Sequence, residues 1–182
     1  ETGLNVLGAN SFQISKFPAI NFTDPRTRFR NRPDITYAQA ERFKEVMRGS
    51  AEVALMLRRG GRRVLYLDRR TNPNVQLVGG DENFITSRNF EIAVGRNVQP
   101  GDVEFGRAVV VLGHDLAGKL FINEEPLGKV VRIDGQSYTV IGVLAPKGTS
   151  FGGNQDNSAI TTITQYLEIY GRSWSMSINV QA

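Results

Sequence analysis

The 182-residue chain has no cysteine, one histidine and one tryptophan, and these scarcities exclude several kinds of chemistry. Without cysteine there is neither a disulfide nor a thiolate nucleophile, which fits an exported bacterial domain without requiring export. With His114 alone, any catalytic dyad or triad rests on that residue, and a metal site has to be built from carboxylates with at most one imidazole. His114 stands at the start of an expected helix, where a histidine caps or faces solvent. Adjacent carboxylates, Asp81-Glu82 and Glu124-Glu125, do not give the opposed pair that general acid and base work needs. Asn154, Asp156 and Asn157 offer oxygens but lack the closing glutamate of a calcium loop. The segment GHDLAGKL (113–120) has the spacing of a phosphate loop, yet Leu120 stands where Ser or Thr would hold magnesium, and Asp115 puts a carboxylate in the cradle. No catalytic constellation, cofactor or metal site is expected. Nor does any apolar run approach 18 residues, so no membrane-spanning helix is expected. The opening Glu1-Thr2-Gly3 reads as a processed or excised end.

What is present is a globular, turn-rich composition: 40% apolar residues, 19 glycines and 7 prolines. Charge is uneven. Residues 1–80 carry 14 Lys or Arg against 7 Asp or Glu, and residues 81–182 carry 8 against 11. Arg26, Arg28, Arg30 and Arg32 alternate after Pro25, while Arg58, Arg59, Arg62 and Arg63 bracket Gly60-Gly61. Such clusters can bind phosphates, so a basic nucleic-acid-binding module is the alternative from another functional class. Solvated arginines on a loop and a hairpin tip are the simpler reading, since no interleaved aromatics offer a stacking surface for bases.

The densest structural signals lie between residues 106 and 148. Residues 108–112 form an apolar, β-branched run between glycines, as in a strand covered on both faces. Asp115 is the expected N-cap of a following helix, with Leu116, Ala117, Leu120 and Phe121 on one face. Residues 129–133 and 137–143 should then pair through Asp134-Gly135, a turn suited to positive φ. Upstream, residues 10–17 read as a strand. Thr36 and Gln39 form a capping box for a helix whose apolar face holds Tyr37, Ala40, Phe43 and Met47. Residues 51–57 and 63–67 are expected as a hairpin around Gly60-Gly61, followed by a strand at 75–79 and a short helix within 81–89. Residues 92–102 read as loop, 146–157 as a mobile glycine-rich loop, 159–169 as a strand-to-helix junction and 176–180 as the final strand. Tyr170 and Trp174 are expected in the core.

Several of these stretches occur together in one family. GRAVVVLG, LFINEEPLGKVVRIDGQSYTVIGVL, PKGTSFGGNQDN and SINVQA, with Gly8-Ala9-Asn10-Ser11-Phe12, Gly79-Gly80 and Gly95-Arg96 in the same order, resemble the periplasmic core domain of MacB-type ABC transporter permeases, the FtsX-like group. The resemblance covers nearly the whole chain. It implies an α+β fold with a porter-like sheet-and-helix part, residues 1–85 and 170–182, and a smaller, mainly β insertion, residues 86–169. It also implies a non-catalytic periplasmic domain of an inner-membrane protein, coupling ATP-driven motion of flanking transmembrane helices to efflux, lipoprotein or substrate handling. The implied partners are a second permease copy in a homodimer, an ATP-binding cassette ATPase, a periplasmic adaptor and an outer-membrane channel, with no nucleic acid. Candidate partner contacts are Phe151, Gly152 and Gly153 in the glycine loop, and Arg58 and Arg59. On the same pattern a helix and a further strand should follow the last strand, so the chain is expected to stop short of its full sheet and leave a sheet face or edge exposed.

Overall fold

A computed structural model describes residues 4–6, 10–16, 33–150, 153–172 and 175–182. Among these residues, twelve strands hydrogen-bond into one mixed sheet and five helices accompany it, an α+β arrangement. The first strands are β1 (Leu4–Val6), β2 (Ser11–Ile14), β3 (Glu52–Arg62), β4 (Val64–Tyr66), β5 (Arg69–Arg70) and β6 (Val75–Gly80). Then come β7 (Ile92–Gly95), β8 (Val109–Leu112), β9 (Val130–Ile133), β10 (Gln136–Leu144), β13 (Ser158–Thr162) and β14 (Ser177–Gln181). Two further short strands, β11 (Thr149–Ser150) and β12 (Gly153–Asn154), pair only with each other.

In space the order is β1-β2-β14-β3-β6-β13-β8-β10-β9-β4-β5, with β7 beside the second half of β10. The central strands are the apolar ones. Val110, Val111 and Leu112 of β8 are fully buried between β10 and β13, as a run of β-branched residues without polar alternation demands. Among the described residues, strand pairing crosses between residues 1–85 and residues 86–169 at β6–β13 and at β4–β9. Arg63 alone separates β3 from β4, yet β4 pairs with β9 at the far end of the strand order, so the sheet curls back toward its own start.

Helix α1 (Tyr37–Val46) starts as its capping box requires: Gln39 N–H donates to Thr36 Oγ1 (3.2 Å) and Thr36 N–H to Gln39 Oε1 (3.0 Å). Ala40 is buried, and Tyr37, Phe43 and Met47 pack against the core. Helix α2 (Phe84–Ser87) buries Phe84 and Ile85, and α3 (Pro100–Glu104) buries Val103. Helix α4 (His114–Leu120) turns Leu116, Ala117 and Leu120 inward, and Phe121 is buried just after it. Helix α5 (Ile163–Tyr170) follows β13 directly, started by Thr162, whose Oγ1 accepts from Gln165 N–H. Residues three and four apart on these helices supply the stripes that cover the sheet.

Five local expectations are corrected. Asp115 is not the cap of α4; Gly113 holds that position, and the Asp156 carbonyl accepts from the backbone N–H groups of Asp115 and Leu116. Those are the donors a phosphate would need, so the phosphate-loop spacing leads to no cradle. The expected hairpin at Gly60-Gly61 is a bulge inside one long strand: Gly61 takes φ +67°, the register against β6 shifts between Arg59 and Arg62, and β3 continues. Residues 92–102 are not loop but β7 and α3, the latter fixed by buried Asp102, which accepts from Gln99 N–H (2.9 Å), Arg96 and Arg107. Among the described residues after Pro146 the chain is anchored, because the Asp156 carboxylate accepts from the N–H groups of Lys147 (2.7 Å) and Gly148 (2.8 Å), and β11 pairs with β12, while Phe151 and Gly152 lie outside the described residues. Finally, β14 is no exposed edge, since β2 flanks it on one side and β3 on the other.

Candidate functional site

The residues expected to meet a partner do not gather at one point. Gly153 opens β12 beside Asp156, while Phe151 and Gly152 lie outside the described residues, as do Trp174 and Arg26–Arg32 of the first basic cluster. Arg58 and Arg59 are consecutive in β3, so the pleat sends them to opposite faces. Arg59 lies over the Tyr170 ring at 4.2 Å, and the Tyr170 hydroxyl donates to Asp134, which also pairs with Arg62 at 3.3 Å. Burial first, then that hydrogen bond, pushes the Tyr170 phenol above its ordinary range. Arg63 turns back to donate to the Thr71 carbonyl (3.1 Å). The second basic cluster is thus divided among a turn cluster, a backbone bond and the opposite sheet face. Tyr170 is part-buried, and Tyr166 packs beside it with ring centroids 4.8 Å apart.

On the face that carries Arg58, Met56 and Val78 lie beside it, and Arg88, just after α2, leans against Met56 with Nη2 3.2 Å from Sδ. Lys147 donates to the Arg88 carbonyl and stands over the Phe90 ring at 4.3 Å. Burial, and then Arg58, pulls the Arg88 guanidinium below its ordinary value; burial, and then Arg88, does the same to Lys147 against the pull of Asp156.

A cleft of about 670 Å³ opens on the other face between α1, α3 and the start of β3. Its centre is an ionic cluster: Lys44 Nζ lies 2.7 Å from Asp81 Oδ2 and also donates to Glu82. Asp81 is 3% exposed, receives its own backbone bond from Asn83 N–H (3.1 Å), and is pushed up to about 6 by burial, against the opposing pull of Lys44. Burial works against the Lys44 charge, but Asp81 and Glu82 outweigh it and raise its pKa. The Tyr37 hydroxyl at the rim is raised by burial and by Glu41. Sequence reasoning read Asp81-Glu82 only as an adjacent pair of carboxylates and missed this cluster. The signal was a lysine at the part-buried margin of the α1 stripe, with its partners 37 and 38 residues away. Among the described residues, no group of three or more His, Asp or Glu side chains is disposed to hold a metal ion, and no helix is long and apolar enough to cross a membrane. His114 is exposed at the start of α4.

The fold is one already seen in extracytoplasmic domains. It superposes with a TM-score of 0.76, at 23% identity, on the crystal structure of the periplasmic region of MacB from Actinobacillus actinomycetemcomitans, covering 96% of this chain and 75% of that one. The extracellular domain of the noncanonic ABC-type transporter YknZ from Gram-positive bacteria gives 0.68 at 21% identity, covering 84% and 75%. By sequence, the chain belongs to the MacB-like periplasmic core domain family, which matches it over residues 3–182. The macrolide export ATP-binding/permease protein MacB of Hahella chejuensis is 31% identical over 154 residues, 82% of this chain and 22% of that protein. The protein of the same name in Chromobacterium violaceum is 34% identical over 86 residues, 47% of this chain and 13% of that one. The chain therefore spans about a fifth, or less, of the length of these relatives.

Proposed function

We propose that this periplasmic domain is a mechanical part of an ABC transporter permease, carrying no chemistry of its own and passing ATP-driven motion of transmembrane helices to efflux or substrate handling outside the membrane. The observation that supports this is the unbroken hydrogen bonding from β1 to β5, across which helices pack on a close-fitted core. Packed interiors move as bodies rather than deform, so a displacement entering at one end of the sheet arrives at the other. The partners this reading requires are a second permease copy, an ATP-binding cassette ATPase that hydrolyses the ATP, and a periplasmic adaptor leading to an outer-membrane channel. The loop 148–153, with Phe151, is proposed as a contact with such a partner. A division into residues 1–85 with 170–182 and residues 86–169 is proposed as the organisation of the moving body.

These 182 residues hold no cysteine, so labels can be placed in them singly once any cysteines elsewhere in the transporter are replaced. In the full transporter, spin labels at Val46→Cys and Phe105→Cys, both exposed, report one distance within a domain and another between copies. Addition of ATP should change the distance between copies and leave the internal distance fixed. An internal change of several ångströms ends the rigid-body reading. Phe151→Ala should lower transport while leaving the melting temperature of the chain unchanged, and a large loss of stability would place Phe151 in the core.

A further inference from the structure

A buried guanidinium without a counter-ion is unusual, because removing a charge from water costs several kcal/mol unless a partner of opposite charge offsets it. Arg88 is a part-buried instance, packed on Met56 and 6.0 Å from the Phe84 ring centroid. Its Nε is buried with no hydrogen-bond partner, its Nη2 meets only the Met56 sulfur, and no carboxylate among the described residues pairs with it. Arg58, exposed on the neighbouring strand, adds a second unpaired positive charge and further disfavours the first. The acids nearby are already engaged: Asp156 by the backbone N–H groups of Lys147 and Gly148, Asp115 by Asn154 Nδ2 (2.8 Å). The third cation, Lys147, is spent on the Arg88 carbonyl and the Phe90 ring.

Both arginines line a cleft of about 150 Å³ that has an apolar floor, Met56, Val78 and Ile160, an aromatic wall, Phe84 and Phe90, and amide and hydroxyl side chains from Gln76 and residues 154–158 around the rest. We propose that this cleft binds a small amphipathic anion, an alkyl carboxylate whose head group lies between Arg58 and Arg88 and whose short tail lies on the apolar floor. A planar guanidinium fork matches a carboxylate, while the floor and the aromatic wall offer carbon to a short tail. The volume, about five times the ~30 Å³ share of one water in the liquid, sets the tail at roughly four carbons. A bare phosphate would satisfy the charge but leave the floor uncovered, and a neutral alcohol would do the reverse. The face used is opposite to the one that carries the Lys44 cleft, and the assignment is tested by binding alone, apart from the mechanical role proposed above.

Pentanoate is the probe. Titrated into the ¹⁵N-labelled 182-residue chain, it should shift the amides of Val78, Phe90 and Ile160 saturably, with millimolar Kd. Inorganic phosphate and 1-pentanol should bind at least tenfold more weakly. Arg58→Met and Arg88→Met should each weaken pentanoate at least tenfold. Arg88→Met should also melt no lower than the parent, since it removes an uncompensated buried charge, whereas a merely structural arginine would lose stability. Shifts that do not saturate, pentanol or phosphate binding as tightly as pentanoate, or undiminished binding by Arg58→Met would each overturn the assignment. If Arg88→Met fails to fold, the Arg58→Met titration decides alone, because that side chain is exposed.

Discussion

Gly79 of β6 and Tyr166 of α5 are in contact so close that a Cβ built on the glycine would stand 2.5 Å from the Tyr166 Cβ. The helix is seated on the sheet at a position where the strand has no side chain. Gly79→Ala therefore has to push α5 outward or distort β6, at a cost of about 1–3 kcal/mol, typical of overpacking. The control is Gly118→Ala, inside α4, where a new methyl group meets nothing within 4 Å. That change should be neutral or stabilise by about 0.5–1 kcal/mol, as alanine does in a helix interior. Urea midpoints of the two variants should move in opposite directions, and equal shifts would mean that α5 does not rest on Gly79.

Val110 is fully buried in β8, opposite Val140 on one side and Thr161 on the other. Val110→Asp places a carboxylate there without a partner, at a cost of several kcal/mol, comparable with the whole stability of a domain this size. The expected outcome is loss of cooperative unfolding by calorimetry. A melt near the parent temperature would contradict the burial.

The turn between β9 and β10 has Asp134 at φ +50° and Gly135 at φ +79°, the paired positive values that match hairpin twist. Gly135→Val should cost about 1–2 kcal/mol through backbone strain, since the space around the glycine is open and no clash contributes. Gln136→Val, exposed in a strand, should cost little. Measuring both by denaturant unfolding separates strain from the general effect of a β-branched residue.

Two aspartates respond to pH in opposite senses. Asp81 holds its proton up to about 6 in the folded chain against an ordinary value of 3.8, so the folded state binds the extra proton and stability falls as pH rises between those values. Asp102, buried and pulled down to about 2 because Arg96, the Gln99 N–H and Arg107 outweigh its burial, contributes stability above 3.8 that is lost as pH falls toward 2. Asp81→Asn should therefore improve relative to the parent on going from pH 4 to pH 7, by on the order of 2 kcal/mol. Asp102→Asn should be most costly at pH 7 and least at pH 2. Calorimetric melts of three proteins across that range test both signs together.

The parts of this fold that sequence reading captures are those whose signals lie within a few residues. Thr36 with Gln39, the run before Gly113, and Asp134-Gly135 each specify their own conformation, and the resemblance to a known family came from the same stretches. The parts it misses depend on distant partners. Gly60-Gly61 reads as a turn from its neighbours, and only β6, beyond β4 and β5, keeps β3 running through it. β7 is four residues long and is held as a strand by the second half of β10, some fifty residues later. Lys44 with Asp81, and Arg58 with Arg88, are separated by 37 and 30 positions, and nothing local marks an aspartate as buried or an arginine as unpaired.

One consequence of the strand order concerns force. β1 runs antiparallel to β2, and β2 antiparallel to β14, so β1 and β14 point the same way with β2 between them. Leu4 is in register with Ile14, which faces Ile178, while Gln181 is level with Ser11 at the other end of the ladder. Tension pulling Leu4 and Gln181 apart along the strands is thus a sliding load, shared by all the hydrogen bonds of both ladders at once. A pull at right angles to the strands would open the same bonds singly, from one end. The three strands therefore resist stretching along their length far better than peeling, and a tug on this domain is gentlest to it when aligned with β14.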